Sequence, residues 1–321
     1  MLTTRFTVLV GCSVPIHQAP IGSVATPALA VAVANAGGVG SIAAFGMRAH
    51  SLDEMLADMT SRTSGVLSVN FVTNDIDRDA VAVAAGRVRI VDFFWADPDA
   101  SLVEIAHAGG ALACWQVGSL SEARAAADAG CDLIAVQGVE AGGHVRGYGA
   151  LLPLLGAVLD EIELPVLAAG GIGGGRAIAA VLAAGAAGAR MGTRFIATDE
   201  SGAHPDYKQA VVDASAGSTA ISDAFSICPL CATSPRPRVL RRCISAVRAF
   251  ENDVVGEVTI AGKAVPVVKG SGQPPLAEST GAVEAMAMYA GESVAAIHEI
   301  APAAEVIEVM GKDAERFLAH Q

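Results

Sequence analysis

Residues 165–195 read PVLAAGGIGGGRAIAAVLAAGAAGARMGTRF. Pro165–Gly171 is a short apolar run that ends in paired glycines, and Ala189–Phe195 is a second run of the same kind. Between them Arg176–Ala184 is Ala-rich and helix-like, and Gly185 stands where a helix C-terminus favours glycine. A strand, a helix and a second strand within so short a stretch is a crossover unit, and crossovers of this length join parallel strands.

The same unit recurs along the chain. Further candidate strands are Ile16–Gly22, Val39–Phe45, Gly65–Val72, Arg89–Ala96, Ala111–Gly118 and Leu133–Gly138. Helix-like segments such as Pro27–Ala36, Leu52–Ser61, Leu102–Ala108 and Ser121–Ala129 lie between them. Continuous apolar strands suit a sheet covered on both faces. Eight units predict a (β/α)₈ barrel over 1–211, with a doubly wound open sheet as the alternative. From about 212 to 280 Ser, Pro and Arg become frequent, which predicts an excursion or lid. The rest, 281–321, predicts two closing helices, Gly281–Ala296 and Ala303–Ala319, packed back on the barrel.

Composition narrows the partners. The chain is 52% hydrophobic and 17% charged, so a large core is easily buried, and the net charge of −12 opposes binding to nucleic-acid phosphates. The uncharged residues around 7–47 are interrupted by Pro20, Pro27, Asn35 and Gly37–Gly40. A membrane-spanning helix needs about 20 apolar residues without such breaks, so no membrane association is expected. Six cysteines without a signal-like start fit a reducing compartment. The expectation is a soluble, cytoplasmic protein whose partners are small molecules or further copies of itself, as a homo-oligomer.

A barrel places its site at the C-terminal ends of the strands, with phosphate groups commonly held after the seventh and eighth. Here those two ends read AAGGIGGGRA and ARMGTRF. Gly170, Gly171 and Gly192 would offer main-chain N–H groups and Thr193 a hydroxyl, enough to hold a phosphate monoester without lysine. The letters of a dinucleotide fingerprint occur at Gly38–Ala43, but they follow a helix and enter a strand, so the match is spurious. The remaining strand ends carry Gln18, Asn70, Gln116 and Gln137, a neutral hydrogen-bonding set that suits an organic ligand better than a metal. After the sixth strand comes AVQGVEAGGHVRG (135–147), where Glu140 and His144 sit among four glycines.

These pieces resemble the nitronate monooxygenase family. The resemblance rests on QAPIG (18–22), ANAGGVGSI (34–42), SVNFV (68–72), QGVEAGGHVRG (137–147), PVLAAGGI (165–172), MGTRF (191–195) and GAVEAMAMYAGESV (281–294), in order along nearly the whole chain. Ile21 stands where methionine is usual in the first of them. The resemblance implies a barrel with a lid and a non-covalently bound FMN. It implies that Ala19, Pro20, Ile21 and Gly22 line the flavin ring, and that Asn70, Gln116 and Gln137 bond the ring edge or ribityl chain. Gly142 and Gly143 would pass close to the ring, Gly170, Gly171, Met191, Gly192 and Thr193 would hold the phosphate end, and His144 is implied as the catalytic histidine. A nitro or nitronate substrate and O₂ would then give a carbonyl compound and nitrite. The E-A-G-G-H segment also occurs in flavin-dependent enoyl-acyl-carrier-protein reductases, so an FMN-dependent NAD(P)H reductase acting on an enoyl thioester or quinone stays open. A flavin- or phosphate-binding protein without turnover is a third reading.

Other features have plainer readings. Glu140 either orients His144 or caps backbone amides, the second being favoured. Arg146 is an anion attractor or a solvated loop charge. The remaining histidines, His17 among them, read as surface or packing residues. Cys228 and Cys231 form a lone C-x-x-C with no second ligand pair, so no metal site is expected. Tyr289, placed on the expected closing helix, reads as packing, with reach over the ring as the alternative.

Overall fold

The computed structural model describes residues 2–72, 76–228, 237–260 and 262–320. Cys231 and Arg236 lie outside the described residues. Eight parallel strands close into a barrel in sequence order. They are β1 (Ile16–Gln18), β2 (Val39–Ala43), β3 (Val66–Val72), β4 (Ile90–Phe94), β5 (Leu112–Val117), β6 (Leu133–Gln137), β7 (Val166–Ala169) and β8 (Gly188–Met191). Closure leaves no free edge, and β1 pairs with both β2 and β8.

Helix α1 (Arg5–Val10) precedes the barrel, and α2 (Pro27–Asn35), α3 (Ala49–Arg62), α4 (Arg78–Ala85), α5 (Ala100–Ala108), α6 (Leu120–Asp128), α7 (Leu151–Leu159) and α8 (Gly175–Ala183) ring it. Local chemistry starts several of them. Thr26 caps α2, which opens on Pro27, and Asp77, Asp99 and Ser119 cap α4, α5 and α6. Helices α4 and α7 fill two crossovers beyond those to which the sequence assigns a helix.

The lumen is layered. At the N-terminal end Phe6 and Val10 of α1 pack against Val39, Ile90, Leu133 and Leu167, so the barrel is plugged there. Above this lies a polar layer of His17, Ser41, Ser68, Asp92 and Arg190, all buried. His17 thus packs inside the barrel, its ring stacked 6.4 Å from that of Phe6. The larger core fills the shell between strands and helices, from Leu29 and Leu52 round to Val158 and Ile178.

After the short helix α9 (Thr193–Ile196) come α10 (Pro205–Val212), β9 (Thr219–Ile221), β10 (Pro237–Leu240), α11 (Arg241–Ala249) and a hairpin of β11 (Val254–Ile260) and β12 (Lys263–Val268). Described residues between 212 and 280 share a core with the 281–297 chain: Phe225, Val239, Cys243 and Val258 are clustered with Met286 and Met288. Strand β10 pairs antiparallel with β9 on one side and with the two-residue strand Gly143–His144 on the other.

One expectation is corrected here. Gly281–Ala296 is not an α-helix; it is extended chain with 3₁₀ turns at Val283–Ala285 and Glu292–Ala296. Leu240 N donates to Met288 O at 2.9 Å, and Val239 bridges Tyr289. Ala285, Met286, Ala287, Met288 and Ala290 are all buried, so burial runs through consecutive residues rather than along one helical face, and the apparent helical stripe is a by-product of it. The expected closing helix Ala303–Ala319 forms as α12, packed against α8 and α2. No helix of the described residues is long and apolar enough to cross a membrane.

Candidate active site

The C-terminal ends of the strands bring the sequence-predicted residues to one rim. Ala19–Gly22 follow β1, Asn70 is near the end of β3, Gln116 and Gln137 are at the ends of β5 and β6, and Gly170 and Met191–Thr193 follow or end β7 and β8. Ala169 lies opposite Arg190, so the chains leave β7 and β8 side by side. Ala19 N donates to Met191 O at 2.7 Å, which ties the β1 turn to β8, while the Met191 side chain is buried in the core.

His144 sits between two aromatic rings. Trp95 meets it edge-on at 5.7 Å between centroids, and Tyr289 is tilted against it at 5.6 Å. Its Nε2 is buried with no hydrogen-bond partner, and no described carboxylate reaches the ring. The imidazole is therefore positioned by packing, with Nε2 free for a ligand. Trp95 adopts φ 92, a strained conformation for so bulky a residue. The Arg146 guanidinium holds the Trp95 carbonyl, bonds Glu122 at 2.9 Å and Asp97 at 3.1 Å, and lies 5.9 Å from the indole centroid. Arg146 thus clamps its own loop to the chain after β4 and to α6, and is neither a solvated charge nor a free cation.

Gln137 is similarly spent within the protein. Its Nε2 donates to His144 O at 3.0 Å and its Oε1 accepts from Arg146 N at 2.9 Å, which fixes the backbone carrying the imidazole. Glu140 accepts from Leu151 N at 3.0 Å through both oxygens, capping α7, whose preceding Ala150 has no side-chain acceptor. The glycines of the loop now have a reason. A Cβ at Gly142 would stand 2.4 Å from Gly291 N, so the 290–291 chain crosses where only glycine fits. Gly143 has φ 76 and turns the chain into its pairing with Arg238.

The two glycine clusters differ from this loop. Gly170 and Gly171 have φ 112 and 69, and Gly171 is exposed at the rim. Gly192 has Ile21 as its near neighbour, and a Cβ would meet that side chain at 3.0 Å. Thr193 Oγ1 accepts from Gly291 N at 2.9 Å, leaving its own proton to donate. Gln116 is half-exposed and its side chain has no hydrogen bond among the described residues.

Asn70 is buried and its Nδ2 donates to Asp92, which is itself paired with Arg190 across the lumen. Burial opposes the Arg190 charge, and Asp92 more than offsets this, so the guanidinium is held protonated. Burial first, then the Arg190 charge, pushes the His17 pKa well below its ordinary value, so this imidazole is neutral. Sequence reasoning missed Trp95, Asp92 and Arg190. Trp95 was visible near the C-terminal end of the expected strand Arg89–Ala96, at the predicted face; nothing in the sequence signals that Asp92 and Arg190 meet.

Two other clefts, of about 420 and 500 Å³, lie beside Leu159–Val166 and between Pro15 and Ile307. Neither contains His144 or the glycine clusters, and the first is lined by Glu161 and Glu163 with only Arg5 opposite, poor surroundings for a phosphate. Among the described residues no cluster of three or more metal-ligating side chains occurs.

Fold and rim together define a (β/α)₈ barrel whose site is built from main chain, neutral carboxamides and one unpartnered imidazole. The nitronate monooxygenase family profile matches residues 63–313. The chain belongs to that family. It is 32% identical over 273 residues to a nitronate monooxygenase of Pseudomonas aeruginosa, covering 70% of this chain and 78% of that one. It is also 38% identical over 202 residues to (3aS,4S,5R,7aS)-5-hydroxy-7a-methyl-1-oxo-octahydro-1H-indene-4-carboxyl-CoA dehydrogenase of Rhodococcus jostii, where the match covers 62% of this chain but only 57% of that relative. Among solved structures, FabK from Thermotoga maritima superposes with TM-score 0.84 at 30% identity, covering 100% and 98% of the two chains. A nitroalkane oxidase from Streptomyces ansochromogenes gives 0.77 at 27% identity, with 98% and 99% covered.

Proposed function

We propose that the protein is an FMN-dependent nitronate monooxygenase that oxidises alkyl nitronates, such as propionate-3-nitronate or the anions of nitroalkanes, with O₂ to carbonyl compounds and nitrite. The observation that carries the reading is His144: an imidazole with an unpartnered nitrogen, framed by Trp95 and Tyr289, at the mouth of a barrel whose neutral rim suits a flavin.

The rim fits the group on its own chemistry. Gly170, Gly171, Gly192 and the Thr193 hydroxyl are the residues to hold a phosphate, at the pair of strands where barrels hold phosphates. Ala19–Gly22, Asn70 and Gln116 are the residues to meet the ring and ribityl chain. Bound flavin would supply electron transfer from the substrate to oxygen, chemistry that no side chain here provides. The protein's part is placement and proton handling. An imidazole without a carboxylate partner can take the α-proton of a nitroalkane as a neutral base, or donate a hydrogen bond to the nitro oxygens of a preformed nitronate. The indole and phenol rings exclude water from one side of it. The Tyr289 hydroxyl donates to Gly272 O at 2.5 Å, so this phenol serves as a wall and spends its proton inside the protein.

A second reading is an FMN-dependent NAD(P)H reductase acting on an enoyl thioester or a quinone. The names of the carboxyl-CoA dehydrogenase relatives favour thioester chemistry for this site. Oxygen uptake with stoichiometric nitrite release from propionate-3-nitronate supports the first reading. NAD(P)H oxidation coupled to an enoyl thioester, with no nitrite from any nitronate, replaces it with the second.

A further inference from the structure

Beneath the rim, Asp92 and Arg190 form a doubly hydrogen-bonded ion pair inside the barrel, with Arg190 Nη1 2.8 Å from Asp92 Oδ1 and both side chains almost fully buried. A buried pair of this kind is weak as a stabiliser, because desolvation cancels much of the attraction. Its neighbour suggests what else it does. Asn70 lies directly opposite Asp92 in the β3–β4 register, and its side chain is turned onto Asp92.

The two atoms it faces there are the Asp92 carboxylate oxygen Oδ2 and, at 3.4 Å, the Asp92 carbonyl oxygen. Both can only accept. A carboxamide placed against two acceptors must show them its NH₂, whichever way its ends are first drawn. Oδ1 then points away from Asp92, and among the described residues no donor meets it. The pair thereby turns an ambivalent side chain into a pure acceptor. The closed order of strands sets β3 four places round from β7, so Asn70 stands across the mouth from Gly170 and Gly171. With a phosphate at those glycines, what reaches Asn70 is the far end of the ligand, the ring. Oxidised isoalloxazine carries a single ring N–H, at N3.

We propose that Asp92, held by Arg190, is a positioning residue that locks Asn70 as the hydrogen-bond acceptor for the N3–H of the bound flavin. The proposal rests on the flavin reading above and adds the residues that set the polarity of its ring contact. The Arg190 guanidinium fixes Asp92 through both oxygens, and its Nε has no partner of its own, so it adds no competing donor to Asn70.

The test compares binding of FMN with binding of 3-methyl-FMN, whose N3 has lost its proton, to the flavin-stripped full chain, by visible and fluorescence titration. Wild type is expected to favour FMN by tenfold or more. Asp92→Asn can accept or donate, so it releases the constraint on Asn70. It should weaken FMN binding several-fold while leaving 3-methyl-FMN nearly unchanged, so the preference narrows. Arg190→Lys, which keeps a cation beside Asp92, should retain it. If Asp92→Asn does not fold, Asp92→Asn/Arg190→Gln, which leaves no unpaired charge in the lumen, should show the same narrowing. Equal weakening of both ligands would make Asp92 merely structural and overturn the proposal, as would a wild type that binds both alike. A wild type that binds neither ligand would instead bring down the flavin reading on which the proposal stands.

Discussion

At the residue scale the account turns on His144 and on the glycines beside it. His144→Ala is expected to lose activity on neutral nitroalkanes by about a hundredfold or more, the range of general-base catalysis, and much less on preformed nitronates. Steady-state rates on the two substrate forms check this, and equal losses would remove the proton-abstraction role. Gly142→Ala should fail for another reason. Its new carbon would stand 2.4 Å from Gly291 N and 2.6 Å from the Ala290 carbonyl carbon, so backbone must move. Overpacking of this kind costs about 1–3 kcal/mol or more, read as a lower Tm and loss of bound flavin together. The sequence made His144 and the glycines conspicuous because so few side chains surround them. It could not assign the glycines. Gly142 answers to the chain crossing at residues 290–291, and that contact is non-local. Arg146 was equally opaque, since its acceptors Trp95 and Asp97 come from the chain after β4 and Glu122 from α6.

At the element scale the residues after the barrel are part of the site's framework. Arg238 of β10 donates to Val139 O at 3.1 and 2.9 Å and to Thr219 at 3.2 Å, and pairs with Glu292 at 3.1 Å. It therefore joins the His144 loop to β9 and to the 283–296 chain. Arg238→Met should cost about 1–3 kcal/mol, the range for leaving buried polar groups unpaired. Turnover should fall about tenfold or more through misplacement of the imidazole, with FMN affinity changed little. Unaltered turnover would show that β10 does not govern His144. The barrel elements were legible because each strand is a short apolar run and several helices start on a cap or end beside a glycine, as α2, α4, α5 and α6 do. Gly281–Ala296 was misread for a physical reason. Val283, Met286, Ala287 and Ala290 match a helical stripe, yet Ala285 and Met288 between them are buried too. Pairing with β10 decides the conformation, and β10 lies far away in sequence.

At the scale of the whole molecule, eight strands joined by seven crossovers make a plugged barrel with a neutral rim and a charged pair hidden below it. The lumen gives a stability signature in pH. Burial and then Arg190 hold the His17 pKa well below its ordinary 6.5. The unfolded chain takes up a proton there that the native state refuses, so this contribution is complete above pH 6.5 and is lost as pH falls towards the folded-state pKa. The slope approaches about 1.4 kcal/mol per pH unit. Denaturant unfolding between pH 7 and 5 should fall less steeply for His17→Gln than for wild type, and parallel curves would show that His17 is solvated. Such a lumen was invisible in the sequence, where His17, Asp92 and Arg190 are spread over three strands with no shared motif. The barrel itself was legible from its repeats alone.

The central claim is that this mouth holds a flavin with His144 beside the substrate. Anaerobic titration of the purified protein with propionate-3-nitronate, followed in the visible spectrum, tests it most directly. The purified protein should be yellow, with flavin bands that bleach on nitronate addition and return with oxygen as nitrite appears. A colourless protein that takes up no FMN on reconstitution, or bound flavin that nitronate leaves untouched while NAD(P)H bleaches it at once, would contradict it.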